Sequence, residues 1–567
     1  MKNAPATLSL TGEAINRATA AFLVLGLGGL AVVGRLVQLQ VVEHGRWSAV
    51  AQAIQEDVIE LPAQRGPIYD RNGLPLAYDV PGYSIALDNY RVTKPELLID
   101  LLVDELGISR SEAMAKVYRT SYFTWLARAV DYGVGRRVQE RAQELGIKGL
   151  IFFDTWKRAY PQGPLALAVL GIVGVDGVGL AGMELLFDGI LSGRPRRVRL
   201  LRGPSGQLYD LWEEDPGAAG EPLYLTLDAR IQWVCEQEIA RGLATYAGAD
   251  RGFALVMDPR TGEVLALAHG PAADPARPDP ELLSPWSVTH LFEPGSMFKA
   301  LVGVAAFDQG LVTPDDVFSG DSPLVVGGAQ IRNARGKSYG TVTFRRAMAD
   351  SVNTVLVQVA QKLGVDRTHD YFMRMGFGTK TGIELPGEVA GIVPPRERWT
   401  ALDLAVTSFG QGIAVTGIQL GAAFAALANG GTLLRPRLLP GPAEVRGEVA
   451  SPAACRTMRE VLGYVVNVGT GSAASVPGFE VGGKSGTAEV ALPGQGYVPD
   501  HVTTGMAAFF PWQEPQYVVL VVYQTSSNPE FWSGSTAVPS VGEIVRGMAQ
   551  VGVARPYAPT TTLGRSG

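Results

Sequence analysis

An uncharged apolar run near the N-terminus constrains the fold of this chain more than any other feature. The run extends from Ala18 to Gly34, between Arg17 and Arg35, and apolar residues continue after Arg35. As a helix the run measures about 25 Å, slightly less than the ~30 Å hydrocarbon core of a membrane. The long side chain of Arg35 can reach the headgroups and let the helix continue. We therefore predict one transmembrane helix over residues 18–40.

Two other structures are compatible with an apolar run at this position. A cleaved signal peptide needs a clear small-residue cleavage site, and Leu30–Gly34 offers no clean one. A buried core helix is the second alternative. The charges that flank the run nearly balance, because Lys2 and Arg17 precede it and Arg35 and Arg46 follow it. The positive-inside rule therefore does not set the orientation.

Composition bounds the classes of function that remain. The chain has 567 residues, of which 46% are hydrophobic, which suffices for packed cores and about three or four domains or lobes. Its formal net charge of −6 argues against nucleic-acid binding, which requires a basic face. Cys235 and Cys455 form one bridge or none, and two separate packed thiols are the simpler expectation. Five scattered histidines form no zinc motif, and we expect no metal. No organic cofactor is expected either, because the serine and lysine chemistry of residues 292–299 requires none.

Beyond residue 222 the hydrophobic pattern alternates between strands and helices. Leu223–Asp228 predicts a strand that ends at Asp228, the cap of a helix over Ala229–Leu243. Phe253–Asp258 and Glu263–Ala268 predict a β-hairpin. Further helices are predicted around 296–309, 343–363, 417–429 and 539–550, and late strands near 479–482, 487–491, 505–510 and 517–524. This order predicts an α+β domain whose first and last strands share one antiparallel sheet.

The residues between the apolar run and position 220 have a mixed pattern. Residues 47–64 predict a juxtamembrane helix followed by a turn, and the Asn72-Gly73 step predicts a tight hairpin turn. Residues 94–156 carry helical patterns with charged faces. A basic stretch that begins at Arg194 passes into acidic residues and then Pro-Gly-Ala-Ala-Gly, which indicates a domain boundary near residue 220.

The segment Phe292–Lys299 contains the most informative chemistry in the chain. Pro294-Gly295 marks a turn immediately before Ser296, and the residues that follow open a helix. Ser296 and Lys299 are three residues apart, so they lie on one helix face and Lys299 Nζ can reach Ser296 Oγ. A serine hydroxyl needs a base to become a nucleophile, and a lysine serves only when burial or a second cation depresses its pKa. Alone, such a pair arises easily by chance.

Two further elements strengthen the catalytic interpretation. Ser351-Val352-Asn353 lies in a predicted helical region, and Lys484-Ser485-Gly486-Thr487 opens a predicted strand. Ser-x-x-Lys, a Ser/Asp/Asn element and Lys-Thr-Gly are together the signature of penicillin-binding proteins and β-lactamases. A glycine beside a strand lets a substrate backbone approach closely, which accounts for Gly486 at its position.

With these motifs the chain resembles the class B penicillin-binding proteins over nearly its whole length. The stretch Arg65–Ala77 is similar to the family's first non-catalytic motif, and Arg158–Pro161 and Gly179–Glu184 are similar to later ones. Leu167 stands where many relatives carry His, and Ser485 replaces the commoner Thr. The segments that are similar to the family's transpeptidase domain are Phe292–Lys299, Phe409–Gly412, Ala428–Gly431 and Gly482–Glu489.

The resemblance implies an α+β protein with a single N-terminal transmembrane helix and an elongated N-terminal non-catalytic domain of the pedestal or dimerisation type. A C-terminal penicillin-binding transpeptidase domain follows, with an antiparallel sheet flanked by helices and a helical subdomain. We expect a cytoplasmic tail (1–17), a transmembrane anchor (18–40), the non-catalytic domain (41–220), the transpeptidase domain (221–553) and a C-terminal tail (554–567). The implied location is the bacterial inner (cytoplasmic) membrane, single-pass, with the catalytic domain on the extracytoplasmic, periplasmic side.

The resemblance also implies a role for each catalytic residue. Ser296 is similar to the nucleophile that attacks the D-Ala-D-Ala carbonyl and forms an acyl-enzyme, and Lys299 is similar to its general base. Ser351 resembles the relay that passes a proton to the departing D-Ala amine. Asn353 resembles the residue that orients Lys299 and the amide of the stem peptide.

The last motif is implied to bind the substrate. Lys484 adds positive potential, which helps to keep Lys299 neutral and attracts the substrate carboxylate. The hydroxyls of Ser485 and Thr487, on either side of Gly486, are similar to those that hold this carboxylate. The backbone N–H groups of Ser296 and Thr487 would form the oxyanion hole.

The implied function is that of a peptidoglycan D,D-transpeptidase of the septal (FtsI/SpoVD-like) group, which cross-links stem peptides ending in D-Ala-D-Ala and is a target of penicillin and other β-lactams. The alternatives are an elongation-type class B transpeptidase, a D,D-carboxypeptidase or β-lactamase, and a β-lactam sensor or inactive scaffold. Members of the family work beside a polytopic glycosyltransferase of the shape, elongation, division and sporulation (SEDS) family and other division proteins of the membrane. The transmembrane helix and residues 47–220 are the expected contacts.

One motif points to a different chemistry. Gly478–Ser485 matches the Walker A pattern of phosphate-binding loops. A phosphate-binding loop requires a helix that begins at the Lys-Ser step, whereas Gly486 and the residues after it predict a strand. The pattern therefore does not favour a nucleotide site.

Overall fold

The computed structural model describes residues 12–48, 56–203, 208–492 and 496–558, and these form two compact units. The first unit comprises the described residues up to Pro62 together with Pro81–Thr155 and Arg194–Ala218. The second comprises Ala63–Val80, Trp156–Gly193 and the described residues from Ala219 onward. The expectations for residues 1–11, for 49–55 and for the end of the C-terminal tail from 559 lie outside the described residues.

The strands of the described residues are numbered in chain order. They are β1 (Glu56–Leu61), β2 (Ile68–Tyr69), β3 (Pro75–Leu87), β4 (Thr124–Asp131), β5 (Leu150–Ala159), β6 (Arg196–Arg202), β7 (Leu208–Asp215), β8 (Leu223–Tyr224), β9 (Ala249–Met257), β10 (Val264–Gly270), β11 (Val317–Ser319), β12 (Leu324–Val326), β13 (Ala329–Ile331), β14 (Thr341–Thr343), β15 (Thr432–Leu434), β16 (Val445–Glu448), β17 (Gly482–Leu492), β18 (Gly496–Phe510) and β19 (Tyr517–Thr525).

The α-helices are numbered in the same way. They are α1 (Gly12–Val37), α2 (Pro95–Leu106), α3 (Arg110–Val117), α4 (Tyr132–Glu144), α5 (Leu167–Leu170), α6 (Gly182–Leu186), α7 (Asp188–Leu191), α8 (Ala229–Thr245), α9 (Trp286–Thr289), α10 (Phe298–Asp308), α11 (Phe344–Ala349), α12 (Asn353–Leu363), α13 (Val365–Arg374), α14 (Ala401–Thr407), α15 (Gly417–Asn429), α16 (Pro452–Val468) and α17 (Ala537–Gln550).

The first unit begins with the predicted apolar helix. Helix α1 continues as a π-helical turn to Val42, and Gly12–Val42 is the one helix among the described residues long and apolar enough to cross a membrane. None of its apolar stretch is buried, which contradicts the alternative of a core helix. Elsewhere in the unit, β1, β6 and β7 form an antiparallel sheet, and α2, α3 and α4 pack around Ile85 and Leu87 of β3. Strand β1 lies within 47–64, so the prediction of a helix and a turn there is wrong for residues 56–61.

The second unit is built on an antiparallel sheet of five strands in the order β10-β9-β19-β18-β17. Alternate side chains of β9 enter two separate cores: Phe253 and Leu255 pack on the side of α10 and α15, and Ala254 and Val256 pack on the side of α8 and α17. Because both faces are covered, the middle of the central strands is apolar without alternation, as in Phe253–Met257 of β9 and Val518–Val522 of β19. The edge strand β17 carries the lysine motif.

Most of the secondary structure predicted for this unit is confirmed. Asp228 caps α8 by accepting a hydrogen bond from the Arg230 amide, and β9 and β10 form the predicted hairpin. Strands β9 and β19 are neighbours, so strands from both ends of the domain share one sheet, but β8, at the first predicted strand, pairs with β2 in another sheet. Both cysteines are free and buried.

Two predictions near the lysine and serine motifs are wrong in detail. The strand predicted near 479–482 is wrong for 479–481, because β17 begins at Gly482 and continues through the strand predicted near 487–491. The lysine motif therefore lies inside a strand instead of opening it. The helix predicted over 343–363 is two helices, because the chain turns between them at Ser351, where φ is +58°.

The first non-catalytic motif is tied to the start of the catalytic sequence within the second unit. Strand β2 pairs in parallel with β8, and Arg71 N donates to Leu227 O at 2.9 Å. Asp70 accepts hydrogen bonds from its own hairpin and from Ala229 N, the first amide of α8. The Asn-Gly turn is confirmed, since Gly73 N donates to Asp70 O.

A buried ionic cluster joins the three non-catalytic motifs, also inside the second unit. Glu184 is fully buried and accepts from Arg65 Nε at 2.5 Å and from Arg158 Nε at 2.7 Å. Arg65 also donates to Asp188 at 2.6 Å. Buried charges in this arrangement satisfy one another, so each arginine of the motifs has a structural partner.

Candidate active site

Ser296 lies at the start of α10, in a single 3₁₀ turn over Gly295–Met297. The turn is possible because Gly295 has φ +54°, a conformation that favours glycine. Ser296 is half-buried while its neighbours Gly295 and Met297 are buried, so its side chain keeps access to solvent. The sequence prediction of a turn before Ser296 followed by a helix is confirmed.

Two glycines let other segments approach this turn. A Cβ on Gly486 of β17 would lie 2.7 Å from Pro294 O and 3.0 Å from Met297 N. A Cβ on Gly410 would lie 2.8 Å from Gly295 N, and Gly410 O accepts a hydrogen bond from that amide. The Ser296 turn is therefore held between two backbones at distances that only glycine permits.

Lys299 is fully buried one helical turn after Ser296. Its Nζ donates to Ser351 O at 2.6 Å, to Ser351 Oγ at 3.1 Å and to Asn353 Oδ1 at 2.6 Å. Among the described residues, no hydrogen bond joins Lys299 Nζ to Ser296 Oγ. Catalytic hydrogen bonds are often long before a substrate is bound, so the absence of this bond is compatible with Lys299 acting as the base for Ser296.

A second lysine shares the hydroxyl that Lys299 contacts. Lys484 of β17 is also fully buried, and its Nζ donates to Ser351 Oγ at 3.1 Å and to Ser485 O at 2.9 Å. Burial, and then the charge of Lys484, hold the pKa of Lys299 well below its usual value. Burial lowers the pKa of Lys484 to about 7. Both causes that the sequence analysis named for a neutral lysine are therefore present.

Ser351 presents two oxygens to the lysines because of its backbone conformation. Its left-handed φ of +58° turns both the carbonyl and the hydroxyl toward Lys299. Such a conformation is uncommon for serine, and outliers of this kind concentrate at functional sites. Asn353 begins α12 directly afterwards and is fixed by donating from Nδ2 to Arg332 O at 2.9 Å.

The hydroxyls of the lysine motif face two residues that the sequence analysis missed. Ser485 Oγ donates to Thr470 Oγ1 at 3.3 Å, and Thr487 Oγ1 and Ser533 Oγ are 3.2 Å apart. Ser533 N also donates to Thr487 Oγ1 at 3.2 Å. Neither Thr470 nor Ser533 stands in a recognisable motif, so only the fold could bring them here.

The structure thus brings the three predicted motifs together. Hydrogen bonds join Lys299, Ser351, Asn353 and Lys484. Lys484, Ser485, Gly486 and Thr487 follow one another in β17, and Gly486 and Thr487 lie against the turn that carries Ser296. Lys484 lies within a strand, so no helix begins at the Walker-like motif and the nucleotide alternative is excluded. No cluster suited to a metal ion occurs among the described residues.

A five-stranded antiparallel sheet that carries the lysine motif on its edge strand, together with a serine turn and a buried lysine of lowered pKa, defines a serine acyltransferase of the penicillin-recognising class. Comparison with known families agrees: residues 252–546 match the penicillin-binding protein transpeptidase domain, and residues 60–225 match the penicillin-binding protein dimerisation domain. The chain belongs to the class B penicillin-binding proteins, which the sequence analysis had identified by resemblance.

Individual relatives extend over most of the chain. The probable peptidoglycan D,D-transpeptidase PenA of Neisseria meningitidis serogroup A is 31% identical over 525 residues, which cover 88% of this chain and 87% of PenA. Stage V sporulation protein D of Bacillus subtilis is 30% identical over 539 residues, 90% of this chain and 82% of that protein. The crystal structure of penicillin-binding protein 2X from Streptococcus thermophilus superimposes with a TM-score of 0.72 at 25% identity, covering 88% of this chain and 80% of that one.

Proposed function

We propose that this protein is a peptidoglycan D,D-transpeptidase that cross-links stem peptides through an acyl-enzyme on Ser296. The observation that carries the proposal is the fully buried Lys299, whose Nζ contacts Ser351 and Asn353 and lies beside a second cation, Lys484. A lysine in this environment is a base at neutral pH. The family membership and the names of the relatives support the same reaction.

Acylation begins when Lys299 takes the proton of the Ser296 hydroxyl. Ser296 Oγ then attacks the carbonyl of the penultimate D-alanine and forms a tetrahedral intermediate. We assign the oxyanion hole to the backbone N–H groups of Ser296 and Thr487, because these two backbone segments lie in close contact. A Cβ added to Gly295, the residue before Ser296, would lie only 2.9 Å from Thr487 O. Each such donor contributes about 3 kcal/mol to stabilising the transition state.

Collapse of the intermediate breaks the peptide bond and releases D-alanine. Ser351 Oγ, which lies 3.1 Å from both lysine nitrogens, passes a proton to the departing amine. The amine of a second stem peptide then attacks the ester, frees Ser296 and completes the cross-link. Asn353 holds Lys299 in place during both steps.

The substrate's terminal carboxylate binds along β17. Lys484 supplies positive potential, and the hydroxyls of Ser485 and Thr487 donate hydrogen bonds to the carboxylate. Gly486 leaves room for the peptide backbone between them. Penicillin carries a carboxylate and a strained amide at a similar separation, so it acylates the same serine.

The test is intact mass spectrometry of the protein treated with benzylpenicillin, followed by mapping of the modified residue. The expected result is one added penicilloyl group on Ser296. Ser296→Ala loses the adduct, while Ser535→Ala, which changes an exposed serine in a 3₁₀ turn of the same unit, keeps it. An adduct that persists in Ser296→Ala would refute the assignment.

A second measurement separates transpeptidation from hydrolysis. Purified protein is supplied with a lipid-linked, polymerised precursor, and the products are separated by mass. Cross-linked dimers of stem peptides are expected. Release of D-alanine without dimers would favour the alternative of a D,D-carboxypeptidase, and neither product would favour a sensor or an inactive scaffold.

The cellular setting is proposed from the resemblance to the septal (FtsI/SpoVD-like) group. Helix α1 anchors the protein as a single-pass protein in the bacterial inner membrane, with residues 1–17 in the cytoplasm. Residues 41–220 form the non-catalytic domain, and 221–553 the periplasmic transpeptidase domain. The anchor and the non-catalytic domain contact a SEDS glycosyltransferase and other division proteins. The test against the elongation alternative uses two hosts. The protein is expected to restore division in a host depleted of its septal enzyme, and not to restore rod shape in a host depleted of its elongation enzyme.

A further inference from the structure

A cavity of about 660 Å³ in the second unit contains none of the residues assigned to catalysis. It lies at one end of the five-stranded sheet, where β9 begins and where β10 and β19 end. The segment from Glu281 to Leu291, which includes α9, forms the opposite wall. A cavity of this size is in the range that binds small molecules.

Four polar side chains from four adjacent strands line the sheet side of this cavity. Paired residues of neighbouring strands lie on the same face of a sheet, and the register pairs Thr503 with Gln524, Gln524 with Arg251, and Phe253 with His269. His501 lies two residues before Thr503, and Arg251 lies two residues before Phe253. Because side chains alternate along a strand, His501, Gln524, Arg251 and His269 project from the same face. The neighbouring parts of the central strands are apolar, from Phe253 to Met257 in β9 and from Val518 to Val522 in β19, so a polar row at one end of them requires an explanation.

Arg251 is the cation of the row, and its charge has no direct partner. Its Nε donates to Gln524 Oε1 at 2.7 Å, and its guanidinium stacks on the Trp286 ring at 5.0 Å. Within the described part of the chain, no carboxylate lies within ion-pair distance of it. Burial lowers the pKa of Arg251, which means that the surroundings penalise its charge. A bound anion would relieve this penalty.

Three of the protein's five histidines line the same cavity, and two have buried nitrogens without partners. His269 is only 9% exposed, its Nε2 is 2.8 Å from Ser287 Oγ, and its Nδ1 has no hydrogen-bond partner among the described residues. His501 Nδ1 is likewise buried and unpartnered in that set. Burial lowers the pKa of His269 to about 3, and burial and Arg251 lower that of His290. These two rings are therefore neutral hydrogen-bonding groups at neutral pH.

Two carboxylates lie at the exposed side of the cavity. Glu281 is exposed, and its side chain has no hydrogen bond or ion pair with any residue that the structure describes. Asp250, also exposed, accepts from Ser526 N at 2.6 Å. The cavity thus has a cation and imidazoles in its wall and acids at its opening.

We propose that this cavity, the His–Arg cavity, is a second binding site that takes the zwitterionic centre of an amino acid. The carboxylate binds Arg251 and the unpartnered imidazoles, and the ammonium group binds Glu281 and Asp250. A phosphate dianion fits less well, because a single cation and two carboxylates line the cavity. A simple carboxylate would leave the acids without a partner, and no set of ligands for a metal ion is present among the described residues.

The test uses D-alanine as the probe, because it is the smallest D-amino-acid zwitterion and the amine that the proposed reaction releases. Full-length protein in detergent, labelled with ¹³C in the histidine rings, is titrated with D-alanine. The resonances of His269, His290 and His501 are expected to shift together, whereas His44 and His369, which lie outside the cavity, do not. N-acetyl-D-alanine and D-alanine amide, which lack one charge each, are expected to bind at least about tenfold more weakly.

Two variants make the proposal falsifiable. Arg251→Gln is expected to weaken D-alanine binding about tenfold or more. Glu281→Gln changes an exposed side chain that makes no hydrogen bond or ion pair with the described residues, so it should leave the fold intact. It is expected to weaken the binding of D-alanine but not that of N-acetyl-D-alanine. Unshifted cavity histidines, equal binding of the acetylated probe, or equal binding of inorganic phosphate would each overturn the proposal. Because penicilloylation of Ser296 is measured separately, failure here leaves the proposed function standing.

Discussion

Replacing Gly410 by alanine should disable the enzyme without unfolding it. Gly410 has φ +80°, and alanine in this conformation costs about 1–2 kcal/mol of stability. The added Cβ would lie 2.8 Å from both N and C of Gly295, whereas carbon atoms in contact prefer about 3.5–4.0 Å. The turn that carries Ser296 must therefore move by roughly 1 Å, and a displacement of that size costs on the order of 10²-fold in rate.

The matched control is Gly412→Ala, two residues along the same loop. Gly412 has a similar φ of +73°, but its nearest neighbour for an added Cβ is Val406 Cγ2 at 3.5 Å, an ordinary contact. Both variants should lose about 1–2 kcal/mol of stability to the left-handed conformation, and Gly410→Ala should lose more because of its clash. Only Gly410→Ala should lose acylation by a fluorescent penicillin in stopped flow. Equal acylation rates in the two variants would show that the Ser296 turn does not depend on this close approach.

Two further predictions concern charges. Burial is the first cause of the lowered pKa of Lys299 and the charge of Lys484 is the second, so Lys484→Gln should raise this pKa. The acidic limb of the acylation rate, measured with penicillin between pH 5 and 9, should then move to higher pH. A limb that stays in place would mean that burial alone lowers the pKa of Lys299. Glu184→Ala leaves Arg65 and Arg158 buried without their shared carboxylate and should cost about 3–5 kcal/mol in urea unfolding; a loss below ~1 kcal/mol would contradict the buried cluster.

The sequence predicted the catalytic fold well where local patterns decide the structure. The cap at Asp228, the hairpin of β9 and β10 and the long helix α15 follow from signals within a few residues, and all are confirmed. The errors came where a longer-range contact overrides the pattern. The helical period over 343–363 has no sign of the left-handed turn at Ser351, because that turn is stabilised by lysines far away in sequence.

The site residues also fall into two groups, those that local sequence patterns predict and those that only long-range contacts bring to the site. The motif residues could be named in advance because their chemistry is carried by residue type and spacing. Thr470 and Ser533 could not be named in advance, since single hydroxyl residues outside any motif give no pattern and reach β17 only through the fold. The polar row of the His–Arg cavity was also invisible, because its members come from four strands that are distant along the chain.

The second unit is built from three separate stretches of the chain, which limits where the protein can be cut into fragments or recombined with a relative. Asp70 accepts a hydrogen bond from the first amide of α8, 159 residues further along the chain, and β2 pairs with β8. The chain from residue 221 onward therefore packs against a segment that lies far before it in the sequence. A fragment that starts at residue 221 would expose these surfaces and should aggregate. Genetic exchange of the catalytic half between relatives would likewise have to transfer the distant N-terminal segment, or join surfaces that were never selected to match.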